Sequence, residues 1–266
     1  MSSRERIRQA CVKQILNSLE QADVSDKPFP HFFAKGLLPS DIYAQMMETL
    51  PDTSHYLQLN KYNQGDASTR HRMGLESKNL APLSKDHQEL WLGVRDALGD
   101  PGVKRKVFRK LENGIAFRFG IPKAEVENAP GFPLPELYRE TTGYSIKPHP
   151  DTRRKVVTMQ MSLAKDEAQA DLGTTFYRMS VSPAALLTQP RGFVTAKQMP
   201  FSPNTAYAFV VLNTISKRSW HGREQLRDGC GTRNSLLNLY YADPADASPE
   251  LVEKFYSDHK PQKAAA

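Results

Sequence analysis

The chain reads as an α+β protein with a mainly β core, and two observations carry that reading. Through the first half, apolar residues recur at helical spacing; through the second, short runs rich in β-branched and aromatic residues alternate with turn residues. Regularly punctuated strands of this kind predict a sandwich or barrel. One face of such a sheet needs a cover, and the leading helices can supply it.

Taken in order, Ile7, Cys11, Ile15 and Leu19 stand at i, i+4 spacing and share one helix face. Residues 26–38, DKPFPHFFAKGLL, are a Pro-punctuated aromatic segment that predicts a short strand. Residues 39–51 predict a helix closed by Pro51, with Ile42, Met46 and Leu50 inward. Residues 53–80 are polar and rich in Asn, Gly, Ser and Arg, which predicts a long loop, the kind that often covers a site. Helices are predicted at 84–98 and at 103–119, the second with Val107, Leu111, Ile115 and Phe119 in step. Predicted strands then follow at 156–163, 172–178, 192–199, 205–213, 217–222 and 233–242, with turns such as Pro190-Arg191-Gly192 and Ser202-Pro203-Asn204 between them. One domain is expected over 1–245, with 1–135 as mostly helical support and lid and 136–245 as the barrel core. Residues 246–266 form a C-terminal tail ending in HKPQKAAA, which reads as frayed.

Composition narrows the function classes. The 266 residues are 39% hydrophobic and 24% charged, ordinary for a globular chain. No apolar run is long enough to span a membrane, and the charged N-terminus does not read as a secretory signal. Cys11 and Cys230 make neither a disulfide framework nor a CxxC metal site, so a cytoplasmic setting is expected. The net charge of +7 is partly clustered, in KRKVFRK (104–110) and in Arg153-Arg154-Lys155. The first cluster reads as a solvated helix face. No aromatic–basic interleaving, RNP pattern or zinc-finger spacing is present, so a nucleic-acid partner is not expected.

The chemistry centres on His149-Pro150-Asp151. Residues i and i+2 of an extended chain point to one face, so the imidazole and the carboxylate can reach one ion. Pro150 biases His149 toward the extended conformation and keeps the pair in that geometry. The tripeptide alone is weak evidence. His221 is the other histidine in the strand-rich half; singly it is a strand-end histidine, but with His149 and Asp151 it completes a two-His, one-carboxylate set with positions left open, which suits non-haem Fe(II). Further on, Arg233 opens the last predicted strand, with Ser235 on the same side. A guanidinium and a hydroxyl pointing into a barrel can hold a carboxylate; alone, Arg233 reads as an exposed strand end.

In this order, the residues resemble the Fe(II)/2-oxoglutarate-dependent oxygenases, and among them the prolyl 4-hydroxylase-like group. The pattern is HxD, a distal His, then Arg on the final strand. The segments FPHFFAKGLLPSDIYAQMMETLP and GYSIKPHPDTRRKVVTMQMSL also look like that family's. The resemblance implies a double-stranded β-helix, a jelly-roll or cupin-like barrel, with the N-terminal helices packed on one sheet. It implies Fe(II) on His149, Asp151 and His221, with 2-oxoglutarate and O2 as cosubstrates and ascorbate as an accessory reductant. Arg233 and Ser235 would take the distal carboxylate of 2-oxoglutarate, with Tyr138, Gln160 and Ser162 as further cosubstrate candidates. Thr158 shares the strand face of Gln160 and Ser162. Arg70, Arg72, Arg153 and Thr174 are candidates for the primary substrate, although Arg153 also reads as part of an exposed turn. Because Asp151 occupies the position that halogenases of the family leave open, hydroxylation, or a related desaturation or cyclisation, is implied over halogenation. The expected partner is a small, amino-acid-like molecule. Hydroxylation of a peptide or protein side chain and a non-catalytic metal- or ligand-sensing barrel remain the alternatives.

Overall fold

The computed structural model describes residues 1–59 and 69–251. The helices are α1 (Ser3–Glu20), α2 (Ser40–Glu48), α3 (Ser77–Leu80), α4 (Lys85–Leu98), α5 (Pro101–Lys110), α6 (Glu112–Phe119) and α7 (Pro183–Leu187). The strands are β1 (Asp23–Ser25), β2 (His31–Lys35), β3 (Leu57–Gln58), β4 (Arg70–Gly74), β5 (Phe132–Glu140), β6 (Ile146–His149), β7 (Lys155–Leu163), β8 (Thr175–Met179), β9 (Phe193–Gln198), β10 (Thr205–Val210), β11 (His221–Arg223) and β12 (Arg233–Tyr241).

Two antiparallel sheets enclose the barrel. The large one runs β1-β2-β10-β7-β12-β5-β4-β3, the small one β6-β11-β8-β9. From β5 to β12 the chain passes back and forth between the sheets, which is the double-stranded β-helix expected from the sequence. The strands form where they do because β-branched and aromatic residues fit a pleated, half-buried surface. In β7 every other residue then serves a different side. Met159, Met161 and Leu163 join the core beneath the helices, while Thr158 and Gln160 line the barrel cavity.

The helices cover the large sheet. Cys11, Ile15 and Leu19 of α1, Ile42 and Met46 of α2, and Trp91 and Val94 of α4 are buried in one core with Met161, Ala206, Ala208, Leu236 and Tyr240 of the sheet. Burying one large apolar side chain is worth about 1.5–3 kcal/mol, so this interface dominates the fold's stability. Polar ties fix its alignment. Ser18 Oγ donates to the Lys35 carbonyl at 2.8 Å, Tyr43 Oη to the Ala164 carbonyl at 2.8 Å, and Asn238 Nδ2 to the otherwise unpaired C-terminal carbonyl of Leu98 at 2.9 Å.

Several local expectations are corrected. The helix expected at 103–119 is two, broken where Leu111 leaves helical geometry at φ −108°, ψ 22°. Asp100 caps the first through Gly102 N, with Pro101 in the first turn. The segment 53–80 is not one loop: β3 and β4 extend the large sheet beside β5, and α3 follows. Its polar sequence hid β4 because that strand buries arginine rather than aliphatic side chains. The part of the expected loop and lid at 60–68, and the tail from 252 onward, lie outside the described residues. The long strand β5, not among the expected strands, carries Pro133 and Pro135 and pairs with β12 along its whole length. Among the described residues, no helix is long and apolar enough to cross a membrane.

Candidate metal and cosubstrate site

β6 and β11 pair so that His149 stands opposite His221. Gly222 permits this: a Cβ there would meet the Ile146 carbonyl oxygen of β6 at 2.7 Å. Asp151 follows β6 directly. Ligand atoms of His149, Asp151 and His221 all lie within 4.8 Å of one another, and His221 Nε2 is 3.8 Å from Asp151 Oδ2.

Each histidine is turned by its own backbone. His149 Nδ1 lies 2.8 Å from the Lys147 carbonyl oxygen, and His221 Nδ1 lies 2.9 Å from that of Ser219. A carbonyl only accepts, so each Nδ1 carries the proton and each Nε2 keeps its lone pair for a metal. Burial, followed by the neighbouring His221, pushes the His149 pKa down to about 4. Burial also lowers that of His221, against the pull of Asp151. Both rings are therefore neutral ligands near pH 7.

Asp151 is held ionised. Burial alone would raise its pKa, but Lys155 and the two histidines outweigh it and the net shift is downward. Lys155 Nζ donates to Oδ1 at 2.9 Å, Thr158 Oγ1 to Oδ2 at 2.6 Å, and Asn213 Nδ2 to the Asp151 main-chain carbonyl at 3.1 Å. Two imidazole nitrogens and one carboxylate, oriented by outer hydrogen bonds, fit a ferrous ion.

Beyond this set a cavity of about 100 Å³ runs between the sheets. Arg233 enters it from the start of β12. Its guanidinium stacks on Phe201 at 4.4 Å, donates through Nε to the Leu172 carbonyl at 2.7 Å and through Nη1 to Glu140. Glu140 is shared, since Arg70 Nε lies 3.0 Å from its other oxygen. Gln160 Oε1 and Thr174 Oγ1 are each 2.6 Å from Tyr207 Oη. Four buried polar atoms here have no partner: Gln160 Nε2, Ser162 Oγ, Ser235 Oγ and Arg223 Nε. Buried donors are seldom left unpaired, and this grouping suits an anionic ligand. A larger groove of about 690 Å³, lined by Phe117, Arg178 and Trp220 among others, contains none of the metal-ligating side chains.

No protein-family model matches the chain, and no curated protein matches it in sequence. Solved structures do match. A prolyl-4-hydroxylase from Pseudomonas putida aligns over 86% of this chain and 98% of its own, at 10% identity and a TM-score of 0.46. The non-heme alpha-ketoglutarate-dependent epimerase SnoN of nogalamycin biosynthesis aligns over 97% and 93%, at 12% identity and 0.47. An oxidoreductase of the 2OG-Fe(II) oxygenase family from Burkholderia pseudomallei aligns over 77% and 90%, at 14% identity and 0.39. With identities this low and TM-scores below 0.5, function has to be read from the site.

The candidates from the sequence divide by place. His149, Asp151, His221, Arg233, Gln160, Thr174, Tyr138 and Arg70 line the cavity. Ser162 and Ser235 are buried opposite each other on β7 and β12, on the same side of the sheet. The Tyr138 hydroxyl donates to Glu136 at 2.8 Å. Arg72 is buried outside the cavity lining and ion-paired with Glu136. Arg153 is exposed, also outside that lining, and donates to the Asn213 carbonyl at 2.7 Å. Three charged residues escaped assignment: Lys155, Glu140 and Arg223. Position was the available signal. Lys155 falls one helical turn's length past Asp151 in a tight turn, Glu140 alternates with Tyr138, and Arg223 alternates with His221.

Proposed function

We propose that this chain is an Fe(II)- and 2-oxoglutarate-dependent dioxygenase that hydroxylates an amino acid or an amino-acid-derived small molecule. The observation that carries the reading is the convergence of His149, Asp151 and His221 within 4.8 Å, with both Nδ1 atoms tied to carbonyls and both Nε2 atoms directed away from them. The residues beyond support the cosubstrate. Arg233, Ser235 and Gln160 offer a guanidinium, a hydroxyl and an amide for a buried carboxylate.

When bound, the iron with 2-oxoglutarate and dioxygen supplies oxidative decarboxylation to succinate coupled to C–H oxidation. The chain's own share is positioning and exclusion. Lys155 and Thr158 hold Asp151 ionised and in one orientation. Phe209 packs against the His221 ring at 4.6 Å, which limits water on that side. Asp151 fills the third protein position, which supports hydroxylation over halogenation.

The test is succinate formation by the iron-loaded protein across a panel of amino acids and their derivatives. Turnover that requires both Fe(II) and 2-oxoglutarate and is stimulated by one panel member is the expected result. Tight iron binding with no 2-oxoglutarate-dependent succinate under any condition would sink the proposal in favour of a sensor.

A further inference from the structure

Among the described residues, Arg223 is the one charged side chain lining the cavity that makes no ion pair. It lies on β11 in the position after Gly222, on the same side as His221, and is 7% exposed. Its Nη1 donates to the Gly173 carbonyl at 2.8 Å, with a longer contact of 3.5 Å to that of Asp171. Its Nε has no partner. Among the described residues it forms no ion pair, whereas Glu140 is taken by Arg70 and Arg233.

Arg223 and Arg233 are anchored to neighbouring residues of one segment. Arg233 donates to the carbonyl of Leu172 and Arg223 to that of Gly173. That backbone is closely packed against the segment at Met199: a Cβ on Gly173 would fall 1.4 Å from the Met199 carbonyl oxygen, so the position requires glycine. Two guanidiniums, Arg223 from the small sheet and Arg233 from the large one, are thus tied to consecutive carbonyls in one cavity. A buried guanidinium without a counter-ion is costly. Its planar fork matches a carboxylate. On the large sheet, beside Arg233 and across from Arg223, the unpartnered Gln160 Nε2, Ser162 Oγ and Ser235 Oγ add donors and no negative charge.

We infer that Arg223 joins Arg233 in binding the terminal carboxylate of a dicarboxylate, so that the cosubstrate end of the cavity is a two-guanidinium clamp. This rests on the reading of the cavity as a 2-oxoglutarate site. Arg223 therefore sets the preference for a dicarboxylate over a 2-oxo acid that lacks the second acid group.

The test titrates the full chain, loaded with Mn(II) in place of iron, with 2-oxoglutarate and with 2-oxobutyrate by calorimetry. Wild type should prefer 2-oxoglutarate strongly. Arg223→Met should lose at least tenfold in 2-oxoglutarate affinity, leave 2-oxobutyrate unchanged, and melt, ligand-free, no lower than wild type, since a buried uncompensated charge has been removed. Arg223→Lys, which keeps the charge without the fork, should fall between. The inference is overturned if Arg223→Met binds 2-oxoglutarate like wild type, if both ligands weaken equally, or if the ligand-free variant melts well below wild type. Loss of the preference in Arg233→Met with its retention in Arg223→Met refutes the clamp and leaves the dioxygenase reading standing. Failure of wild type to discriminate between the two acids refutes both.

Discussion

The two faces of the large sheet are built from the same strands and do opposite work. On β7, β10 and β12 the helix-facing residues are mostly apolar: Met159, Met161, Ala206, Ala208, Leu236 and Tyr240 belong to the main core, with Asn238 a buried polar exception. The residues between them face the barrel, and among these Thr158, Gln160, Tyr207, Arg233 and Ser235 are buried yet polar. Strand registry brings them together, with Ser235 opposite Ser162, Leu237 opposite Gln160, and Tyr207 opposite Gln160 on the other side. Burial is equal on the two faces; hydrogen-bond satisfaction is not. The unpaired atoms on the core face are acceptors, Asn234 Oδ1 and Asn238 Oδ1, whereas the barrel face holds the unpartnered donors Gln160 Nε2, Ser162 Oγ and Ser235 Oγ. A face that contributed only to stability would have no use for them.

Substitutions on each face should break that symmetry in opposite directions. The largest effect is expected from His221→Ala, which removes a metal ligand. Iron affinity should fall by more than the ~10–100-fold typical of losing an outer-shell partner, with the melting temperature of the metal-free protein nearly unchanged. Metal titration against circular dichroism checks this, and retained stoichiometric iron binding would disprove the ligand set. On the other face, Met161→Ala should cost about 2–5 kcal/mol in denaturant unfolding by opening a cavity beneath the helices. The surviving folded molecules should bind iron as wild type does.

Thr158→Val tests the link between the sheet and the metal. It removes the hydroxyl that donates to Asp151 at 2.6 Å and should weaken iron binding by about tenfold with a small change in stability. A smaller effect still is expected from Ser235→Ala. Its Oγ has no partner without ligand, so stability should hold or rise slightly, while 2-oxoglutarate affinity falls by the worth of one hydrogen bond, about 0.5–1.5 kcal/mol. Acidification sharpens the comparison last. The folded, metal-free protein holds His149 neutral to about pH 4, whereas the unfolded chain protonates it near 6.5. Between those values the unfolded state binds more protons, so stability is full above about 6.5 and is lost as pH falls toward 4. A melting temperature flat across that window would contradict the buried, neutral imidazole.

Much of this was legible in the sequence because it depends on local alternation. His149 and Asp151 share a side by their spacing, as do Arg233 and Ser235, and the order HxD, His, Arg pointed to one site. The apolar period set helices against strands over most of the chain. The errors fell where chemistry displaced the usual pattern. Arg70 and Arg72 made β4 look like loop, Pro133 and Pro135 masked β5, and Leu111 broke a helix whose apolar period runs on undisturbed.

What alternation could not supply is which strand lies beside which. Pairing β11 with β6 sets His221 opposite His149, and pairing β12 with β5 sets Arg233 opposite Glu140; both depend on closing the barrel across long stretches of chain. A local turn makes Lys155 the counter-ion of Asp151 four residues before it, whereas the closure leaves Arg223 buried with no ion pair among the described residues. The sequence by itself determined the ligand types, their order and the face each occupies. The tertiary structure decided which charges are neutralised and which stay available, because neutralisation depends on distances of a few ångströms between residues far apart in the chain.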